Sequence, residues 1–234
     1  MIERHLRKLR ARDEISAEEE AIIRASVARV IEVPDQHIIV AEGRDVDFST
    51  ILLDGVACRQ KDLSNGARQI TELHVPGDYM DLHSFSLKRL DHDVVALSPC
   101  SIAIVPHPGI MEITERYPHL TRVYWFGTNL DAAIHREWEV SLGRRQAPAA
   151  MAHLFCELYI RLGLVGLADE QAYDLPLSQS ELSECLGISA VHTNRALQEL
   201  RDTGSVDFRD RRVRIFDWQL LQELADFDQA YLYL

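Results

Sequence analysis

Residues 178–204 read SQSELSECLGISAVHTNRALQELRDTG and carry the start and stop signals of two short helices. Ser178 and Glu181 have the S-x-x-E spacing of a capping box, which begins a helix that Gly187 ends. Ser189 follows almost at once and is a residue type that caps the next helix. Two short helices joined this tightly predict a helix-turn-helix.

The second helix of this pair, expected from Ser189 to about Thr203, has two different faces. One face has the i, i+3, i+4, i+7 spacing of a buried stripe and consists of Thr193, Ala196, Leu197 and Leu200. The opposite face carries side chains that recognise base edges, since Arg pairs with guanine, Asn or Gln pairs with adenine, and Val meets a thymine methyl. The candidate reading residues are Val191, His192, Asn194, Arg195 and Gln198.

Other residues around these helices suit contacts to phosphate. Ser178, Gln179 and Ser189 lie near helix N-termini, where hydroxyl, amide and backbone N–H groups bind anions and fix register without reading sequence. After Gly204, the segment SVDFRDRRVRIFD predicts two short strands joined by a basic turn. A hairpin directly after the second helix makes the whole segment a winged helix-turn-helix, and its residues Arg209 and Arg211 are expected to lie over a DNA backbone.

The charge of the chain limits where a polyanion can bind. The formal net charge is −12 over 234 residues, which argues against a general affinity for nucleic acid. Residues 188–216 are different, because six arginines stand against four carboxylates there, a local charge of +2. Only a local patch is therefore expected to hold double-stranded DNA.

The remaining composition is that of a globular protein, 47% hydrophobic and 26% charged. No apolar run approaches the roughly 20 residues of a membrane span, and the charged N-terminus lacks the pattern of a secretory signal, so a cytoplasmic protein is expected. The cysteines Cys58, Cys100, Cys156 and Cys185 are far apart, which predicts neither a disulfide framework nor a zinc site.

The first half of the chain predicts a helix followed by a β domain. Ser16 and Glu19 form another capping box, which starts a helix running toward Val27. From Pro34 to about His107, short β-rich segments alternate with turn residues, which predicts a barrel or roll.

From Pro118 to about Leu142 the apolar period becomes helical. The stripe is long enough to predict a coiled-coil seam between two copies of the chain, with a helix packed on its own β domain as the alternative. The predicted dimerisation residues are Leu120, Val123, Gly127, Leu130, Ile134 and Trp138. Pro148 then marks the start of another helix, and Gly163, Gly166 and the polar segment DEQAYD at 169–174 are expected to form a loop before the last domain.

The order of β-roll, long helix and winged helix, with the segments LSQSELSECLGIS and VHTNRALQELRDTGSV and the turn PGD at 76–78, resembles the Crp/Fnr family of bacterial transcription regulators. The resemblance implies an α+β fold with a cyclic-nucleotide-binding-like β-roll at 1–117, a dimerisation helix at 118–145 and a winged helix-turn-helix at 146–234. It implies that Arg195 contacts guanine, while Ser178, Gln179 and Ser189 hold phosphates. Many members have Arg-Glu where this chain has Ala190-Val191, so its half-site is not copied from them.

The resemblance also implies what the β-roll does not bind. In members that bind cyclic nucleotides the PGD turn leads to Gly-Glu and then to an Arg that grips the cyclic phosphate. This chain has Asp81-Leu82 and the acidic segment 90–93 at those places, and Lys88 and Arg89 lie a few residues away, so cyclic AMP is not expected as ligand. No cysteine precedes Cys58, which argues against the iron–sulfur cluster of the oxygen-sensing members.

The effector itself is left open by the sequence, and no cofactor is predicted. The alternatives are a small molecule in the β-roll, a haem on one of His74, His83, His92 and His107, or a protein partner in place of a ligand. A reading from another class is a cupin-like enzyme with a metal held among His74, Asp78, Asp81, His83, Asp91, His92 and Asp93, but their spacing does not favour a site. The sequence therefore predicts a homodimeric regulator, not an enzyme, that binds an inverted repeat.

Overall fold

A computed structural model describes all 234 residues, which form two compact units. The first contains residues 1–61, 73–132 and 234, and the second contains residues 62–72 and 133–233. None of the helices combines the length and hydrophobicity that crossing a membrane requires.

The first unit begins with two helices, α1 (Glu3–Arg10) and α2 (Ala17–Ala25). The predicted capping box of α2 is present, because the Glu19 N–H donates to Ser16 Oγ at 3.2 Å and the Ser16 N–H donates to Glu19 Oε2 at 2.9 Å. Helix α1 was not predicted, since its sequence is mostly charged. It is held in place by Ile2 and Leu6, which are completely buried.

The β-roll consists of two antiparallel sheets. Their strands are β1 (Arg29–Val33), β2 (Ile38–Val40), β3 (Phe48–Asp54), β4 (Ala57–Asp62), β5 (Arg68–His74), β6 (Asp93–Ala96) and β7 (Cys100–Pro106), in the orders β1-β7-β3 and β2-β6-β4-β5. The β region thus begins before Pro34, where the sequence placed its start. Strand β1 escaped prediction because only Val33 of its residues is buried, so it shows no apolar alternation.

Alternating side chains of β3 and β7 divide the core of the first unit into two layers. Leu52 and Ile102 point into the roll, where they pack with Met80 and Leu90. Ile51 and Ala103 point to the outer side, which is covered by α1, α2, α4 (His107–Arg116) and the first part of α5 (Pro118–Gly143). A short helix, α3 (Ser84–Leu87), follows the PGD turn.

Helix α5 has the predicted extent, but most of its apolar stripe is buried within the single chain. Leu120 and Val123 belong to the outer core layer of the first unit, while Ile134 and Trp138 are buried in the second. These four side chains therefore leave no free surface for another helix. Of the predicted seam, only Gly127 and Leu130 remain half-buried.

The second unit carries the predicted winged helix-turn-helix. Its elements after α5 are α6 (Ala147–Leu164), β8 (Ala168–Asp169), β9 (Ala172–Asp174), α7 (Gln179–Leu186), α8 (Ala190–Asp202), β10 (Val206–Arg209), β11 (Arg212–Ile215), α9 (Trp218–Ala225) and a 3₁₀ helix at Gln229–Leu232. The expected loop after α6 is wrong in part, because β8 and β9 form a hairpin and extend the wing into the sheet β10-β11-β9-β8. Tyr173 drives this pairing, since its ring is buried and its hydroxyl donates to the Phe155 carbonyl at 3.0 Å.

A buried carboxylate connects three segments of this unit. Glu157 on α6 is completely buried and accepts hydrogen bonds from Trp138 Nε1 at 3.2 Å, from Arg161 Nη1 at 2.8 Å and from the Tyr231 hydroxyl at 3.0 Å. A buried charge is stable only when it is paired and hydrogen-bonded, and here both conditions hold. The cluster therefore fixes the end of α5 and the C-terminal segment against α6.

Candidate nucleic-acid interface

The turn between α7 and α8 has the backbone that the sequence predicted. Gly187 lies in the left-handed region at φ +63°, which ends α7 without the steric cost that a side chain would bring. A Cβ at this position would lie 3.1 Å from Leu142 Cδ2 and 3.2 Å from Gln69 Oε1. Glycine is therefore favoured for its conformation, and a side chain here would also have to displace the Leu142 and Gln69 side chains by a few tenths of an ångström.

Helix α8 is divided into the two faces that its periodicity indicates. Thr193, Ala196, Leu197 and Leu200 are all buried. All five candidate reading residues are exposed, and Val191 is the most apolar of them at 70% exposure. An exposed valine beside polar side chains on one helix face fits a surface that meets base edges in a groove.

The candidate reading residues differ in how free they are. The Gln198 side-chain amide donates to Asp202 Oδ1 at 2.6 Å, and its Oε1 accepts from Arg201 at 3.0 Å. The His192 ring lies 3.0 Å from Ser189 Oγ through Nδ1. Val191, Asn194 and Arg195 have no polar partner within the chain, so these three are the side chains available for a groove.

At the N-terminus of α7 the phosphate-binding groups are backbone groups rather than the serine hydroxyl. Ser178 donates both its N–H and its hydroxyl to Glu181 Oε2, at 2.6 and 2.8 Å, so neither donor is left for a phosphate. The N–H groups of Gln179 and Ser180, in the first turn of α7, have no acceptor in the helix. They lie at the positive end of the helix dipole and are suited to bind an anion.

The wing turns tightly at Asp210 and Arg211, whose φ angles are +53° and +57°. Two consecutive left-handed residues form the turn type that matches the twist of a β-hairpin. Along β11, Val213 and Ile215 are buried, so Arg214 between them is directed outward. Arg214 is one of the six arginines of residues 188–216 and was not predicted as a site residue, although the period-two alternation of the strand indicates its direction.

Ion pairs within the unit reduce the number of arginines available to DNA. Asp207 binds both Arg201 and Arg209, at 2.8 and 3.0 Å, and Arg212 is paired with the neighbouring hairpin. Three exposed arginines, Arg195, Arg211 and Arg214, have no carboxylate partner in the chain. Within residues 188–216 the uncompensated positive charge is thus confined to α8 and the wing.

Comparison with known proteins agrees with this arrangement in both units. Residues 149–224 match the profile of the Crp-like helix-turn-helix domain, and residues 30–117 match that of the cyclic nucleotide-binding domain. The chain belongs to the Crp/Fnr family. It is a DNA-binding transcription regulator, and its family consists of regulators rather than enzymes.

Relatives of this Crp/Fnr regulator match over most of their length. It is 26% identical to the transcriptional activator protein FnrL of Cereibacter sphaeroides over 195 residues, covering 80% of this chain and 77% of the relative. It is 26% identical to the nitrogen fixation regulation protein FixK of Bradyrhizobium diazoefficiens, covering 74% and 72%. The structure of FixK2 from Bradyrhizobium japonicum superposes with a TM-score of 0.77 at 24% identity, covering 85% of this chain and 97% of the other.

The region of this Crp/Fnr regulator that corresponds to the cyclic-phosphate cassette presents no free cation to the inside of the roll. Lys88 lies over the Phe85 ring at 4.6 Å, and exposed Arg89 is paired with Asp45 at 2.8 Å. Asp81 is completely buried, and burial raises the pKa of its carboxyl to about 7. It accepts the Thr50 N–H at 2.6 Å, which fixes it in the turn.

The metal-site alternative finds no geometric support in this region. No three His, Cys, Asp or Glu side chains in the chain converge closely enough to hold a metal ion. His107, one of the candidate haem ligands, is buried and lies 3.2 Å from Ser84 Oγ. All four cysteines are buried free thiols.

Proposed function

We propose that this regulator binds an inverted-repeat operator as a homodimer, with one α8 from each protomer in successive major grooves. The observation that carries the proposal is the placement of three unpaired arginines in the helix-turn-helix and wing, because Arg195 lies on the reading face and Arg211 and Arg214 lie on the wing. In a two-fold dimer the two recognition helices address half-sites about one helical turn apart. The partner is double-stranded DNA, and we accordingly place the protein in the cytoplasm, where its operator would be.

Within each half-site the residues divide into base reading and positioning. Val191, Asn194 and Arg195 read base edges, and Arg195 is suited to a bidentate contact with guanine. The backbone N–H groups of Gln179 and Ser180 and the wing arginines hold phosphates, which sets the register of α8 in the groove. The hydroxyl of Ser178 serves the helix cap instead.

For the dimer seam we propose a different face of α5 from the one its apolar stripe indicates. Trp125, Thr128, Ala132 and His135 follow the 3-4-3 spacing of a coiled-coil seam. Trp125 is 68% exposed, Ala132 is exposed, and the other two are half-buried. A large exposed aromatic side chain on a long helix is an uncommon surface feature and fits a contact with a second copy.

The seam is tested by analytical ultracentrifugation of charged variants. Trp125→Glu is expected to give a folded monomer, because the side chain is exposed in the single chain and a buried unpaired charge would break the dimer. Leu130→Glu, on the stripe that the sequence favoured, is the comparison variant and is expected to sediment as a dimer. A Trp125→Glu protein that still sediments as a dimer, with Leu130→Glu monomeric, would place the seam on the original stripe.

The operator is tested by selecting bound sequences from a random DNA pool with purified full-length protein and no added ligand. A palindrome with half-sites about one turn apart is the expected result. A single non-repeated half-site would contradict the dimeric arrangement. The selection is repeated with Arg195→Ala as the matched control. No enrichment by the wild-type protein without ligand would contradict DNA binding in the absence of an effector.

A further inference from the structure

A cavity of about 360 Å³ lies in the first unit, outside the β-roll, between α1, the PGD turn and the first part of α5. Its walls are largely apolar and include Leu9, Tyr79, Leu82, Val123, Phe126 and Leu130. This volume is within the range of small-molecule sites. The interior of the roll, by contrast, is filled by buried side chains such as Met80 and Leu90.

The histidine of the cavity wall has a buried acceptor without a partner. His5 Nδ1 lies 2.8 Å from the Gly77 carbonyl oxygen, and because a carbonyl only accepts, Nδ1 carries the proton. Burial lowers the pKa of His5 to about 4, so the ring is neutral and Nε2 is an acceptor. This atom is buried and has no hydrogen-bond partner, although an unsatisfied buried acceptor is destabilising.

The charges around the cavity favour an anion. Each carboxylate in its wall already has a basic partner: Asp78 binds Lys8, Asp131 binds Arg59 at 3.0 Å, and Asp13 lies 3.2 Å from the His119 ring, whose pKa is raised by its hydrogen bonds to Glu19 and Asp13. Arg122 also lines the cavity, is exposed at its rim and has no ion pair in the chain. A ligand carboxylate at the rim would therefore meet a free guanidinium and no uncompensated negative charge.

We propose that this cavity binds a small organic acid with an apolar body and an N–H or O–H group. The carboxylate binds Arg122, the body packs against the apolar walls, and the donor satisfies His5 Nε2. As the effector of the regulator, a role that rests on the proposed function, the acid would act through α5. The helix contributes Val123 and Leu130 to the cavity and continues to Gly143.

Three probes separate these features in calorimetric titrations of the full-length protein. Indole-3-acetate has the carboxylate, the ring and an N–H donor; naphthalene-1-acetate lacks the donor; tryptamine replaces the anion by a cation. Indole-3-acetate is expected to bind with one site per chain and at least about tenfold more tightly than either of the others, a difference of about 1.4 kcal/mol. Equal binding of tryptamine, or no binding by indole-3-acetate, would overturn the proposal.

Variants then assign the binding to this cavity. Arg122→Glu is expected to weaken indole-3-acetate at least about tenfold, whereas Arg116→Glu, an exposed helical arginine outside the cavity, leaves it unchanged. His5→Phe is expected to remove the preference for indole-3-acetate over naphthalene-1-acetate. Unaltered binding in Arg122→Glu overturns the assignment even if His5→Phe does not fold, since Arg122 is exposed.

These titrations contain no DNA, so they decide the site whether or not an operator is found. If the wild-type protein binds none of the probes, the proposed ligand site is wrong. If the probes bind but no operator is selected in their presence, the site stands and the proposed DNA function fails.

Discussion

Arg195 provides the sharpest test of how α8 reads DNA, through the pair of substitutions Arg195→Ala and Arg195→Lys. Its guanidinium is on the exposed face of α8 and makes no ion pair in the chain. Nothing within the protein has to be broken before it contacts a base. Lysine keeps the charge but loses the planar fork that a bidentate contact with guanine requires.

The expected loss follows from the number of contacts. A bidentate base contact is worth about 1–3 kcal/mol, and a dimer has one Arg195 in each half-site, so Arg195→Ala removes about 2–6 kcal/mol. At about 1.4 kcal/mol per tenfold, specific affinity falls roughly 30-fold to 10⁴-fold. Arg209 is a matched comparison, because its Nε lies 3.0 Å from Asp207 Oδ2 and its charge is already partly neutralised. Arg209→Ala is expected to cost less.

The assay is fluorescence anisotropy with the selected operator and with operators changed at each half-site position, at several salt concentrations. Both Arg195 variants are expected to lose discrimination at one position per half-site. In Arg195→Lys the salt dependence stays near that of the wild type. Uniform weakening across all operator variants in Arg195→Ala, with the slope of log K against log salt reduced by about 0.9 per protomer, would mean a phosphate contact and refute the reading role.

Three further predictions concern stability. Gly187→Ala is expected to destabilise the fold by at least about 1–2 kcal/mol in urea unfolding and by more than Gly204→Ala, because both glycines have positive φ but only Gly187 has close neighbours; equal losses would contradict the close contact. Asp81→Asn is expected to raise the free energy of unfolding relative to the wild type. The gain increases from pH 3.8 to about 7 and is then constant at no more than about 4 kcal/mol, because the raised pKa of Asp81 means that ionisation of its carboxyl disfavours the fold. A difference in the free energy of unfolding that does not change with pH would contradict this. Hydrogen bonding to Glu19, and then to Asp13, raises the pKa of His119 above 6.5 in the folded protein. The contribution of His119 to the free energy of unfolding is therefore complete below pH 6.5 and is lost as the pH rises through the higher pKa of the folded state. A wild type that is still more stable than His119→Gln at pH 9 would contradict this.

Local sequence signals predicted the DNA-binding unit well, because its elements are specified by residues a few positions apart. The capping box of Ser178 and Glu181, the left-handed Gly187 and the buried stripe of α8 are short-range features, and each is present as expected. The exposed reading face follows directly from the buried one. Here the sequence was sufficient because helix periodicity separates the two faces without knowledge of any neighbour.

Elements that depend on distant partners were predicted less well. Strand β1 is mostly exposed and is defined by its pairing with β7, some seventy residues away in the chain. The hairpin after α6 was expected as a loop, although β9 pairs with β11 of the wing. In both cases the hydrogen-bonding partner, rather than an apolar pattern, decides that the segment is a strand.

The sequence by itself determined the helix-turn-helix and the exposed face of α8, since both follow from local spacing, and the resemblance of its segments indicated the family. Only the tertiary structure decided which face of α5 is free and that a cavity lies outside the roll. It also showed that both donors of Ser178 are used in the helix cap and that Arg211 and Arg214 have no carboxylate partner within the chain. An apolar stripe predicts that a helix face is buried but does not identify the element that buries it. The buried partner, and therefore the surface left for DNA, a second copy or a ligand, is settled only when the whole chain has packed.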